Sequence, residues 1–123
     1  MNKNTPLLAT VVLSVLLTAS CGQNEPPPPM PVEQVPATVE NAFKEANPEL
    51  KGSAGEIVTA IQGKDEPKAL LDLQALFARP DLTPEQREAA NRSMISLNQK
   101  LRTAAEQGDQ RAAEALQVYR ARN

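Results

Sequence analysis

From Ala37 to Asn123 the apolar residues return every three or four positions and nowhere alternate, so this stretch is set to fold as helices. Val39, Ala42, Phe43 and Ala46 mark a first stripe at i, i+3, i+4 and i+7. Leu50, Ala54, Ile57, Val58 and Ile61 mark a second, and Leu70, Leu73, Leu76 and Phe77 a third. Ala90, Met94, Leu97, Leu101 and Ala104 or Ala105 make a fourth, and Ala112, Leu116 and Tyr119 a fifth. Each stripe covers one side of a short helix, which is marginal alone and must lay that side against a neighbour.

The punctuation between stripes is equally explicit. Asn47 is placed to cap the second helix, with Pro48 at its first position, where a missing N–H costs nothing. Gly63-Lys64-Asp65 breaks the chain, and Asp65 caps the third helix. Arg79-Pro80-Asp81 ends that helix, because a residue before proline avoids the helical region. Thr83-Pro84-Glu85-Gln86 has the spacing of a capping box at the start of the fourth and longest helix, which runs to about Glu106. Gly108 stops the fourth helix and Asp109 caps the fifth. Gly52 and Gly55 weaken the second helix by about 1 kcal/mol each relative to alanine, which makes it depend on its neighbours. The expected fold is all-α: a small bundle of about five short helices, arranged as helical hairpins, over residues 37–123.

A short internal match accompanies this pattern. Thr59-Ala60-Ile61-Gln62-Gly63-Lys64-Asp65 resembles Thr103-Ala104-Ala105-Glu106-Gln107-Gly108-Asp109. Two-helix hairpins of this kind stack in tetratricopeptide-like arrays. The characteristic positions of that repeat are not filled, and helix–turn–helix chemistry alone also produces such a match.

Residues 22–36 read GQNEPPPPMPVEQVP, which excludes a helix interior or a central strand. Four consecutive prolines favour polyproline II, so residues 21–36 are expected to form a linker reaching roughly 45 Å at about 3.1 Å per residue. Upstream, Lys3 and the amino terminus precede an apolar run, Leu7 to Leu17, broken only by Thr10 and Ser14. As a helix that run spans roughly 16 Å, too short for a hydrocarbon core of ~30 Å. A basic start, a short apolar run and small residues after it describe a secretory signal peptide over residues 1–20.

Thr18-Ala19-Ser20 leads directly into Cys21, the only cysteine in the chain. This arrangement resembles the lipobox of bacterial lipoprotein precursors. The family prefers leucine three residues before the cysteine; here Thr18 stands there, with Leu17 one place earlier. The resemblance covers residues 1–21 and says nothing of the domain beyond. It implies a diacylglyceryl group on the Cys21 thiol, cleavage before Cys21 and acylation of the new amino terminus. Two or three acyl chains on one residue would hold a protein at a membrane, where a single chain binds only marginally. Gly22 occupies the place where aspartate favours inner-membrane retention in proteobacterial lipoproteins, so the resemblance points to the outer membrane, on its periplasmic or extracellular face.

Composition narrows the function classes. A net charge of −2 leaves no polycationic footprint for nucleic acid. With no histidine and one thiol assigned to lipid, no nucleophile–base pair, metal site, cofactor or small-molecule substrate is expected, and the chain does not read as an enzyme. The pairs Asp65-Glu66 and Glu85 with Glu88 sit at helix starts, where carboxylates complement the macrodipole. Asn91-Arg92-Ser93 matches a glycosylation sequon by chance inside a helix. A membrane-active helix would want a Lys/Arg-rich polar face, whereas the fourth helix mixes Arg87, Glu88, Arg92, Lys100 and Glu106.

Two readings remain. One is a lipid-anchored helical interaction module with a protein partner or a second copy of itself. The alternative is a structural, cell-wall-associated lipoprotein without a specific partner. The murein-lipoprotein class attaches through a C-terminal lysine; Val118-Tyr119-Arg120-Ala121-Arg122-Asn123 lacks one, so that mode of attachment is not expected. Ile95 is the candidate contact residue, pointing roughly 140° away from the centre of the fourth stripe. Coverage by the first helix, or idle exposure, would account for it equally.

Overall fold

The computed structural model describes residues 29–123; the segment read as a signal peptide and Cys21 lie outside them. A 3₁₀ turn over Val32–Gln34 leads into five helices: α1 (Val35–Phe43), α2 (Pro48–Gln62), α3 (Glu66–Phe77), α4 (Pro84–Glu106) and α5 (Gln110–Ala121). No strand occurs among the described residues.

Helices α2 to α5 begin where side chains satisfy their free N–H groups, whereas α1 has no side-chain cap. Asn47 accepts from the Leu50 N–H at 2.9 Å, and Asp109 from the Ala112 N–H at 3.1 Å. Asp65 accepts from the Lys68 N–H at 3.4 Å. Thr83 and Gln86 form a reciprocal box: the Gln86 N–H donates to Thr83 Oγ1 at 3.1 Å, and the Thr83 N–H donates to Gln86 Oε1 at 3.0 Å.

Helices α1 to α4 close a ring in which each packs on the next and α4 returns onto α1; α5 lies over α3 and α4. Side-chain pairs show the directions. Glu49 at the start of α2 meets Arg79 just past the end of α3, and Glu66 at the start of α3 meets Lys100 near the end of α4, so each neighbour runs opposite to the last. Asp65 meets Arg111 and Gln74 meets the Tyr119 carbonyl, so α3 and α5 run the same way. The return of α4 onto α1 makes this a closed bundle, not an open array of stacked hairpins.

The matched segments are nonetheless alike in space. Asp65 N–H donates to the Ala60 carbonyl and Lys64 N–H to that of Ile61; Asp109 donates to Ala104 and Gly108 to Ala105 in the same way. Both are Schellman turns running straight into an Asp-capped helix. The left-handed residue is Lys64 in the first (φ 60°) and Gly108 in the second (φ 95°). The recurrence is therefore one of turn chemistry, and Gly63 does not occupy the left-handed position its identity suggests.

The core runs through the expected stripes. Val39, Phe43, Ile57, Leu70, Leu73 and Leu97 are almost fully enclosed. Phe77 packs against this core from its edge, partly buried like Ala42, Ala46 and Tyr119, and the Arg87 guanidinium lies over its ring, 5.2 Å from the centroid. The same guanidinium donates to the Phe77 and Arg79 carbonyls, both at 3.0 Å, satisfying acceptors left free at the end of α3.

The expected domain boundary moves. Residues 30–36, read from sequence as the last part of the linker, belong to the bundle. Met30 and Val35 are buried in the common core, and α1 begins at Val35 with Pro36 in its first turn. A proline early in a helix removes an N–H that has no partner there anyway, which is why a Pro-rich run can feed a helix directly.

Candidate interaction surfaces and the point of chain entry

Three places on the bundle have the exposure or geometry to matter for function. The first is where the chain enters. Met30 packs against the core, Ser96 Oγ on α4 donates to the Met30 carbonyl, and Thr38 Oγ1 on α1 donates to Met30 Sδ at 3.1 Å. Ser96 is buried, so this bond is shielded from water. Pro29 and Met30 border a shallow surface lined on α4 by Gln99, Lys100 and Thr103. The described chain enters the domain at this point. Part of the signal was present in the sequence: Val32, Val35 and Val39 are apolar at i, i+3 and i+7, but the surrounding prolines mask it, and Met30 falls outside that spacing. Cys21, to which lipidation is assigned, lies outside the described residues.

The second is Ile95. It is 50% exposed, so α1 does not cover it. Its helical neighbours Asn91, Arg92 and Gln99 are exposed and polar, leaving the side chain isolated on the outer face of α4.

The third was not anticipated. A groove between α3 and α5 is floored by Leu71, Ala75, Ala115 and Val118. Val118 is 38% exposed, the other large apolar side chain open to solvent among the described residues. The sequence signal was a second apolar line on each helix, Leu71 with Ala75 and Ala115 with Val118, hidden beside the stronger core stripes. The rim is charged. Lys68 pairs with Asp72, whose carboxylate raises the Lys68 pKa, and Arg111 pairs with Asp65 at 3.0 Å. Glu114 and Arg122 border the same groove and form no ion pair among the described residues.

The remaining charge clusters hold helix ends together. Arg79 bridges Asp81 at 3.0 Å and Glu49 at 2.5 Å, and its guanidinium holds both carboxyls below their usual range. At Glu66, burial pushes the carboxyl up, but the bond from Lys100 and the carboxyl's own backbone amide outweigh it and leave a net lowering. These pairs join elements within the bundle. No group of three or more metal-ligating side chains gathers among the described residues, and no described helix is long and apolar enough to cross a membrane. Comparison with protein-family models, with curated proteins and with solved structures finds no match.

Proposed function

We propose that this chain is a lipid-anchored envelope protein that presents a small helical interaction module in the periplasm or at the cell surface, with the outer membrane as its site. The observation that carries the reading is Cys21, set directly after Thr18-Ala19-Ser20 and an apolar run, and before a proline-rich stretch. The docking of Met30 supports it: a domain tied down at its point of entry can transmit the position of an anchor to the whole bundle. The module half of the reading rests on exposed apolar surface at the α3–α5 groove, on a bundle whose charged clusters are engaged in joining its own helices. Metabolic labelling with a clickable fatty acid tests the anchor. The wild-type chain takes the label, and Cys21→Ser loses it and accumulates as uncleaved precursor. Label retained by Cys21→Ser overturns the proposal.

A further inference from the structure

We infer that the α3–α5 groove is a self-association surface, on which α5 of a second copy lies antiparallel about a two-fold axis passing by Val118. The inference deepens the interaction-module reading by naming the partner, and it does not require the lipid on Cys21.

The face of α5 around Val118 is symmetric in its chemistry. Ala115 precedes Val118 by three residues and Ala121 follows it by three; Glu114 precedes it by four and Arg122 follows it by four. In a helix, positions four apart lie about 40° from one another, so Glu114, Val118 and Arg122 share one face, with Ala115, 5% exposed on the groove floor, and Ala121 on its two flanks. A two-fold axis at Val118 that reverses the helix direction exchanges the two ends of that face. Val118 then meets Val118 of the second copy, and each Glu114 meets an Arg122. An isologous contact requires this self-complementarity: a patch that pairs with itself after rotation. A parallel arrangement in register would instead set glutamate on glutamate and arginine on arginine.

The rest of the groove fits this occupant. Ala115 on the groove floor and Ala121 outside it set no bulk beside Val118, and Leu71 and Ala75 extend the apolar floor on α3. The other charges on the rim, Lys68, Asp72 and Arg111, are already paired within the chain. Glu114 and Arg122 carry the unsatisfied charges, one of each sign, at the two ends of the exposed valine's face. By contrast Ile95 stands among uncharged and cationic neighbours with no such symmetry. α5 spans only about 18 Å at 1.5 Å per residue, so the contact is small and its dimer dissociates on dilution. Confinement to a surface would raise the effective concentration of the copies and populate it.

Charge exchange tests the geometry. The full chain, purified in a non-ionic detergent, is followed by sedimentation velocity over a wide concentration range. The wild type shows a reversible monomer–dimer equilibrium. Glu114→Arg alone and Arg122→Glu alone each weaken it by about tenfold, because two attractive pairs become repulsive. An equimolar mixture of these two variants associates again, since one copy then carries two arginines on the face and the other two glutamates. The double variant, with both exchanges in one chain, also recovers. Both positions are exposed, and circular dichroism of each variant checks that the bundle is retained. A wild type that stays monomeric throughout overturns the inference. So does a mixture no tighter than its components, or an association lost in Ile95→Glu and untouched by the charge exchanges. All these variants keep Cys21, so fatty-acid labelling reports on the anchor separately.

Discussion

Single residues show most sharply where sequence chemistry and local geometry agree. Lys64 holds a left-handed conformation that costs a β-carbon-bearing residue roughly 1–2 kcal/mol, while Gly108 holds the equivalent place in the second turn without that penalty. Lys64→Gly should therefore stabilise the protein by about 1 kcal/mol, and Gly108→Ala should destabilise it by about as much. Urea melts of the two variants check this, and shifts of the same sign would break the equivalence of the turns. Thr83 and Leu101 separate two kinds of contribution. Thr83→Ala removes one half of a capping box and should cost on the order of 1 kcal/mol. Leu101, 3% exposed, leaves a cavity when cut to alanine, at about 2–5 kcal/mol. A smaller loss for Leu101→Ala than for Thr83→Ala would contradict the packing of α4. The caps were legible in the sequence because an N-cap is decided within four residues. The left-handed lysine was not, because glycine next to it offered the cheaper solution.

At the scale of elements, the apolar stripes gave five helices and most of their inward faces, and their limits mark where tertiary packing takes over. Phe77, on the core face by spacing, packs against the core from its edge and is only partly buried, with Arg87 over its ring where that arginine closes the end of α3. α2 keeps two glycines whose cost has no compensation inside the bundle: a β-carbon added at Gly52 or Gly55 would meet nothing within 4 Å. Gly52→Ala and Gly55→Ala should each stabilise the fold by about 0.4–1 kcal/mol, read from the same melts, and a loss at either would mean that the helix is approached more closely there than the isolated chain shows. Between elements, Arg79 joins the start of α2 to the turn before α4 through Glu49 and Asp81. It holds both carboxyls below their ordinary values of 4.5 and 3.8. Groups whose pKa is depressed by folding stabilise the folded state fully above the unfolded value, and that contribution fades as pH falls through the folded one. Stability should thus decline below about pH 4.5, and Arg79→Met should lower the plateau while flattening that decline. An unchanged slope of urea midpoint against pH in Arg79→Met would show that other carboxylates govern the acid limb. The contacts are exposed, so the effect is small and weakens with salt.

For the molecule as a whole, the decisive question is where the folded part begins, and here composition misleads. A proline-rich stretch reads as spacer because proline forbids helix interiors, but it says nothing against a helix start, and α1 uses Pro36 there. With Met30 in the core, the packed domain begins at residue 30 and not at residue 37. If Cys21 carries the proposed lipid, eight residues and not fifteen separate it from the packed domain, a greatest span of about 25 Å in place of roughly 45 Å at polyproline II rise. Stability measurements tell the two boundaries apart without any membrane. Met30→Ala should cost on the order of 2 kcal/mol, and Ser96→Ala about 1–3 kcal/mol through the buried carbonyl it strands. Both should speed hydrogen exchange in the Val32–Gln34 turn and at Val35. Extending the chain by several residues between Gly22 and Pro26 should leave the melting midpoint unchanged, since the packing of Met30 and its bond from Ser96 are kept. If Met30→Ala were as silent as the extension, the folded unit would begin after Pro36, where the sequence alone places it.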